Sequence, residues 1–169
     1  MIYLISEKEI KTALANQNLD ANYLSQAIVT AQETVLEPLI GSYLYRTICN
    51  MVNNNTIKDE ENSNYKLLLD KYINPFLIMQ VISDIIIPIS YKIGNVGIVQ
   101  TTDTNLQVPG KSEIDYLVQY YADKAAVAGQ RLTKYLHANH NIYKEFCKKE
   151  HCNDLLPESE AGYRINLNI

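Results

Sequence analysis

The sequence predicts a mainly α fold: a bundle of four to five helices, a long loop or short β-hairpin between the two longest helices, and an extended C-terminal tail. Apolar residues recur at three- and four-residue spacing through most of the chain, which indicates helices with one buried face. Residues that favour helix N-termini precede several of these runs. The 169 residues, 47% of them hydrophobic, are enough for one domain with its own core.

The first helices are bounded by clear local signals. Ser6, followed by a glutamate three residues later, forms a capping box and begins a short helix that ends near residue 16. Asp20 can cap a second helix, which Pro38 and Gly41 are expected to end. Ser42 then begins a third helix, and a polar loop with an acidic cluster follows at residues 53–64.

The helix predicted over Tyr65–Lys92 is the expected centre of the bundle. From Phe76 to Ile89 it is apolar nearly all round, which is typical of a helix buried inside a protein or a membrane. This apolar run is about 14 residues, shorter than the roughly 20 needed to span a bilayer, so we expect a core helix and no membrane partner. Pro75 predicts a kink near Asn74.

The long loop is predicted at residues 94–110. Gly97 to Thr102 is rich in β-forming residues, and Asn105 to Pro109 could return as a second short strand. Ser112, with Asp115 three residues later, then predicts the start of a helix of about seven turns. Its apolar positions keep helical spacing: Ile114, Leu117, Tyr121, Ala125, Ala128, Leu132, Tyr135 and Leu136.

We predict two parts in the chain, a helical domain at residues 1–150 and an extended docking tail at residues 151–169. Residues 139–149 resemble a short final helix that closes the domain. The tail alternates between apolar and polar residues from Tyr163 to Ile169, as a strand with one apolar face does. No partner strand adjoins it in sequence, so it can pair elsewhere, including on another chain.

The charge pattern favours contacts between proteins over general binding to nucleic acid. The whole chain has a net charge of −4, whereas residues 111–149 carry 7 basic and 4 acidic side chains. Opposite signs within one small chain can let copies dock side by side. Lys124, Arg131 and Lys134 share a face of the long helix, where they could contact another subunit or DNA phosphates, or could simply be solvated.

No pattern for catalysis or for a cofactor stands out. Cys147 and Cys152, with His137 and His140 upstream, form the one metal-like cluster, but their spacing matches no standard zinc site. There is no nucleophile–histidine pattern and no phosphate-binding glycine loop. We therefore expect no enzyme, no metal and no cofactor; an enzyme using Asp84 and nearby tyrosines is the weaker alternative.

The cysteines and the N-terminus bear on the compartment. Three cysteines without framework spacing indicate a reducing environment, and the first five residues are too short for a signal peptide. We expect the protein to be made and kept in a cytoplasm.

Three stretches of this sequence resemble a known family. They are Ala31–Ile48, Tyr65–Gln100 and Gln130–Phe146. The most specific segments are Glu37–Gly41, Tyr72–Pro75, and Tyr91–Ile93 followed by Asn95–Gly97. Taken together they are similar to the head–tail adaptor (connector) proteins of tailed bacteriophages, most closely the neck ring proteins of crAss-like phages. The resemblance covers about residues 1–149 and concerns positions that determine the fold.

The resemblance implies a structural virion protein. It implies a ring of twelve copies in the phage neck that joins the portal to the tail and extends the DNA channel. The expected partners are other copies, the portal protein and other neck or tail proteins, with transient passage of genomic DNA; assembly would occur in the host bacterial cytoplasm. A lower neck or tail-completion protein, or a DNA-binding helical regulator, remains an alternative.

The resemblance also implies which residues make contacts. The loop is expected to reach toward the channel or a neighbouring ring through Asn95, Val96, Ile98, Val99 and Gln100. The tail is expected to dock on a neighbour or the portal through Leu155, Leu156, Tyr163, Arg164, Ile165, Leu167 and Ile169.

Overall fold

The computed structural model describes residues 2–15, 19–94, 97–100 and 110–157. The fold is mainly α, as predicted. Counted through their internal π-turns, five helical rods form the described part of the chain. The α-helices are α1 (Glu7–Ala13), α2 (Ala21–Ala31), α3 (Glu37–Ile40), α4 (Ser42–Asn53), α5 (Ser63–Leu68), α6 (Asn74–Ser90) and α7 (Lys111–Ala138).

The N-terminal helices begin where the capping residues predicted. The Ser6 backbone N–H donates to Glu9 Oε2 at 2.7 Å, and the Glu9 N–H donates to Ser6 Oγ at 3.4 Å. The Asp20 carboxylate accepts the N–H groups of Asn22 and Tyr23 at the start of α2. These predictions are confirmed because a cap is a contact between residues close in sequence.

Both prolines predicted to disturb helices follow π-helical turns. Pro38 follows the turn Gln32–Leu36, and Pro75 follows the turn Leu69–Ile73. A proline lacks an N–H and crowds the carbonyl four residues before it, and a wider turn accommodates both defects. The helix therefore continues through Pro38 to Ile40, and Gly41 alone ends it, in contrast to the predicted stop at Pro38.

The core forms around α6, which packs antiparallel to α7. Ser83 Oγ of α6 donates to the Val118 carbonyl at 3.3 Å, and the Tyr72 ring just before α6 stacks on the Tyr135 ring with centroids 4.1 Å apart. Most apolar residues of α6 are buried, as predicted: Phe76, Leu77, Val81, Ile82, Ile85 and Ile86.

The last turn of α6 leaves the core, which corrects the prediction of a helix apolar and buried to its end. Ile87 is 49% exposed and Ile89 is 37% exposed. The helical run Glu60–Ser90 is long and apolar enough to cross a membrane by length and composition, and 44% of its most apolar window is buried inside the fold. The core helix of a water-exposed protein satisfies the same criterion.

Two short strands follow α6. Tyr91–Gly94 (β1) pairs antiparallel with Gly97–Gln100 (β2), with Tyr91 opposite Gln100. The helix therefore ends at Ser90, two residues before the predicted end at Lys92. The return strand predicted at residues 105–109 lies outside the described residues.

The long helix α7 begins with a different cap from the predicted one. The Gly110 N–H donates to Glu113 Oε2 at 2.8 Å, so Ser112 and Asp115 lie inside the first turns. The predicted apolar face is largely buried, including Ile114 near its start, but Leu117 is 42% exposed.

Residues 139–149 form turns, and the short final helix predicted there is wrong. Tyr143 is fully buried, and its hydroxyl donates to the Asn64 carbonyl at 3.0 Å and lies 3.2 Å from the Tyr135 hydroxyl. Cys147 has a positive φ of 60°, which interrupts any helix. Contacts with distant parts of the chain therefore determine this segment.

Candidate functional site

The segment 150–157, here called the C-terminal anchor, is bound to the start of α4. The Ser42 N–H donates to the Leu155 carbonyl at 3.0 Å, and the Leu155 N–H donates to Ser42 Oγ at 3.0 Å. Ser42 Oγ in turn donates to Glu37 Oε1 at 2.6 Å. The orphan first N–H of α4 is thereby satisfied by a segment over one hundred residues away in sequence.

A bidentate ion pair between Arg46 of α4 and Asp154 also holds the anchor. The guanidinium donates to both carboxylate oxygens, at 2.7 and 2.9 Å, and also to Glu150 Oε2 at 3.0 Å. Asp154 Oδ2 additionally accepts the N–H groups of Glu150 and His151. Paired, charge-assisted bonds of this kind fix geometry as well as adding energy.

These contacts change the acidity of both partners. The hydrogen bonds from Arg46 hold the pKa of the Asp154 carboxyl well below its usual range, helped by the two backbone N–H donors. The same hydrogen bonds, with that to Glu150, raise the pKa of Arg46. The contact with Arg46 therefore stabilises the ionised form of the Asp154 carboxyl.

Gly41 completes the anchor because it leaves room for Pro157. Its backbone lies at φ +84° and ψ 145°, a conformation that residues with a side chain rarely adopt. A Cβ built on Gly41 would lie 2.9 Å from Pro157 Cδ. The α3–α4 corner and the C-terminal segment thus fit together only around a glycine.

The predicted tail residues divide at the anchor. Leu155 and Leu156 lie within the anchor. They are 47% and 52% exposed, so another molecule can contact them. Tyr163, Arg164, Ile165, Leu167 and Ile169 lie outside the described residues. Residues 150–157 thus belong to the helical body, whereas the sequence placed the boundary of the tail at 151.

The predicted loop residues also divide. Ile98, Val99 and Gln100 form most of β2, whereas Asn95 and Val96 lie outside the described residues. The pairing of β2 with β1 brings Gln100 back to Tyr91, directly after α6.

The exposed face of α7 carries an aromatic half and a basic half. Tyr116 is 68% exposed and Val127 is 62% exposed. We call this row of residues the α7 stripe; it consists of Tyr116, Tyr120, Lys124, Val127, Arg131 and Lys134. Successive members are three or four positions apart and therefore share one helix face.

The cations of the α7 stripe contact aromatic rings. Lys124 Nζ lies 4.2 Å from the centre of the Tyr120 ring, and Arg131 Cζ lies 5.5 Å from that of Tyr72. Within the described residues, neither these two nor Lys134 forms an ion pair with a carboxylate. The sequence predicted the three cations as contact residues but missed the exposed tyrosines and valine beside them.

Asp84 is exposed on α6 and accepts a hydrogen bond from Gln80 Nε2 at 3.0 Å. Partial burial raises the pKa of the Asp84 carboxyl, and the Gln80 bond opposes this shift. The carboxyl is thus a surface group stabilised by a neighbour one turn away on the same helix.

The histidine–cysteine cluster lines a surface depression that also includes Lys144 and Phe146. His137, His140 and Cys147 border it, whereas Cys152 is not among its lining residues. Among the described residues, no three His, Cys, Asp or Glu side chains come together in a way that could hold a metal ion. His137 instead packs edge-on against the Phe146 ring, with centroids 5.1 Å apart.

A family model matches residues 36–155, more than half of the chain. The chain belongs to DUF6712, a family of unknown function. The DUF6712 match includes both Arg46 and Asp154, and it extends to the Leu155 that pairs with Ser42. No curated protein and no solved structure matches the chain.

Proposed function

We propose that this chain is a structural subunit of a bacteriophage neck, forming a ring that joins the portal to the tail and extends the DNA channel. The copy number expected from the resemblance to connector proteins is twelve. Its partners are then other copies of itself, the portal protein and further neck or tail proteins. In this role the chain has no catalytic activity and no cofactor.

The observation that carries the proposal is the C-terminal anchor. Four hydrogen bonds, from Ser42, Leu155 and Arg46, join residues 154 and 155 to the start of α4. The chain is therefore fixed to the helical body up to Leu155, and the alternating segment Tyr163–Ile169 follows it in sequence. A segment that starts at a defined place and has one apolar face is suited to adding a strand to a neighbouring protein.

Two further features support an assembly protein. Leu155 and Leu156 are exposed next to the exit of the tail, and the α7 stripe exposes tyrosine and valine on a second surface. Exposed apolar groups rimmed by charged residues are typical of protein–protein contact sites. The mainly α fold is also the fold that the resemblance to connector proteins implies.

The experiment is native mass spectrometry with negative-stain imaging of the full chain, alone and mixed with the portal protein of the same phage. We expect a closed ring, formed alone or only on the portal, with one copy number. A chain that stays monomeric and ignores the portal would overturn the ring proposal and favour a lower neck or tail-completion position.

The DNA-binding alternative has its own measurement. Binding of duplex DNA that weakens steeply with salt, by a chain that forms no ring, would replace the structural proposal.

A further inference from the structure

We propose that the α7 stripe is the contact surface between neighbouring copies, and that its basic end receives the acidic turn Asp59–Glu61 of the next copy. This inference rests on the proposed ring function and assigns the residues that hold the ring together. It follows from unmatched charges, their position along the bundle, and exposed apolar groups at the opposite end.

Within the part of the chain that the structure describes, neither charged surface forms an ion pair. Lys124, Arg131 and Lys134 are exposed, and so are Asp59, Glu60 and Glu61. None of the six forms an ion pair among residues 2–15, 19–94 and 110–157. By contrast, Arg46 is paired with two carboxylates in the same fold. Complementary charges left unpaired within one copy can pair between copies.

The basic and acidic surfaces lie at the same end of the bundle. Arg131 and Lys134 are in the last two turns of α7, beside Tyr72 and the start of α6. The acidic turn immediately precedes α5, and Asn64 of α5 accepts the Tyr143 hydroxyl just beyond the end of α7. The acidic turn lies about 12 residues before Tyr72 on the helical run Glu60–Ser90, roughly 18 Å along its axis, so the two surfaces meet when the bundles of neighbouring copies are tilted against the ring axis.

The opposite end of the bundle offers apolar surface at a common level. Tyr116 and Tyr120 lie at the start of α7, and the antiparallel packing places the end of α6 beside them. Ile87 and Ile89 are exposed on that end of α6. An interface between copies can therefore be apolar at the start of α7 and ionic toward its end.

The surfaces belong to different elements, and each copy carries both. A basic stripe on α7 that contacts an acidic turn before α5 can therefore repeat head-to-tail from copy to copy. Head-to-tail contacts generate rings when the rotation between copies closes. In a two-fold dimer the same two patches would pair reciprocally across one interface, so the size of the assembly distinguishes the two arrangements.

Charge reversal provides the test. Arg131→Glu with Lys134→Glu, and separately Glu60→Lys with Glu61→Lys, should each raise the concentration at which the ring forms by roughly tenfold. Mixing the two double variants should restore assembly at wild-type concentration, because in a ring of alternating variants every contact joins opposite charges. Sedimentation velocity at about 0.1 M salt measures this, under the conditions in which the wild-type chain assembles.

The apolar part of the stripe has a matched control. Val127→Ser should weaken assembly, whereas Ile142→Ser removes a comparably exposed apolar side chain outside the stripe and should not. Circular dichroism on each variant separates a loss of assembly from a loss of fold.

The outcomes separate this inference from the proposed function. A wild-type ring that both charge-reversal variants form at the unchanged concentration would overturn the stripe as the contact surface and leave the ring intact. A wild-type chain that forms no ring, alone or on the portal, would overturn both. If Arg131→Glu with Lys134→Glu abolishes binding to duplex DNA while assembly is unchanged, the stripe is a nucleic-acid surface instead.

Discussion

Gly41 is the residue at which backbone conformation and available space both require the absence of a side chain. The sequence indicated this position only as a helix end, because the Pro157 ring that approaches it is more than one hundred residues away. The same holds for Arg46 and Asp154, which are 108 positions apart. Sequence patterns predict contacts between residues close in sequence, whereas contacts between residues this far apart in sequence leave no periodic signal.

Substitution of Gly41 by alanine should destabilise the fold by about 1–3 kcal/mol, since alanine strains the backbone and its Cβ would meet Pro157. Urea unfolding followed by circular dichroism measures the change. Gly110→Ala is the matched control, because a Cβ there meets nothing within 4 Å. An equal loss of stability in both variants would contradict the role of the Gly41–Pro157 contact.

Asp154→Asn should lower the thermal midpoint in a pH-dependent manner. The pKa of the Asp154 carboxyl is lowered in the folded chain, so the contribution of the carboxylate to stability is fully present above its unfolded pKa of about 3.9. That contribution is lost as the pH falls through the folded pKa. The difference in midpoint between wild type and variant should thus be constant near neutrality and shrink below about pH 4.

Thermal unfolding followed by circular dichroism across this pH range checks the prediction for Asp154. Asp123→Asn, which removes an exposed carboxylate of α7, reports the effect of losing one negative charge by itself. A midpoint difference for Asp154→Asn that grows toward acid pH would contradict the assignment.

At the scale of elements, helix starts and the central helix could be predicted from the sequence, whereas helix ends and irregular segments could not. Ser6 and Asp20 cap helices through contacts two or three residues away, so their patterns are readable. The turns at 139–149 depend on burying Tyr143 against Asn64, and no local pattern encodes that contact. The cap of α7 was misplaced because the pattern Ser112–Asp115 overlaps the pair Gly110 and Glu113, which forms the cap.

The exposure along α6 gives a prediction of its own. Ile82 is fully buried, so Ile82→Ala should cost about 2–5 kcal/mol of unfolding free energy through lost contacts and a cavity. Ile87→Ala, at a half-exposed position of the same helix, should change it by less than about 1 kcal/mol. Chemical denaturation of both variants, below the concentration at which copies associate, provides the measurement. Similar losses at both sites would mean that the end of α6 is covered.

At the scale of the whole molecule, the boundary between body and tail determines how the tail can be tested. A truncation after residue 157 keeps the contacts of Asp154 and Leu155 with α4, whereas a truncation before 155 removes the Ser42 pairing as well. The chain truncated after residue 157 should therefore retain the helical content and thermal midpoint of the wild type, yet fail to form stable assemblies. Circular dichroism and native mass spectrometry test the two halves of this statement.

The tail truncation has a clear opposing result. Ring formation by the chain that ends at residue 157, at the same concentration as wild type, would show that residues 158–169 do not hold copies or the portal. The function proposed for this tail comes from the resemblance to connector proteins, while its starting point depends on contacts between residues far apart in sequence.

The anchor also determines how the molecule responds to mechanical tension on its C-terminal segment. Tension applied to the chain beyond Pro157 passes through Asp154 and Leu155 directly into Arg46 and Ser42 at the start of α4. The intervening helices α5, α6 and α7 lie off this load path, because the contacts bridge across them. As long as these hydrogen bonds hold, tension on the C-terminal segment is transmitted to the α3–α4 corner while the core helices remain unstretched.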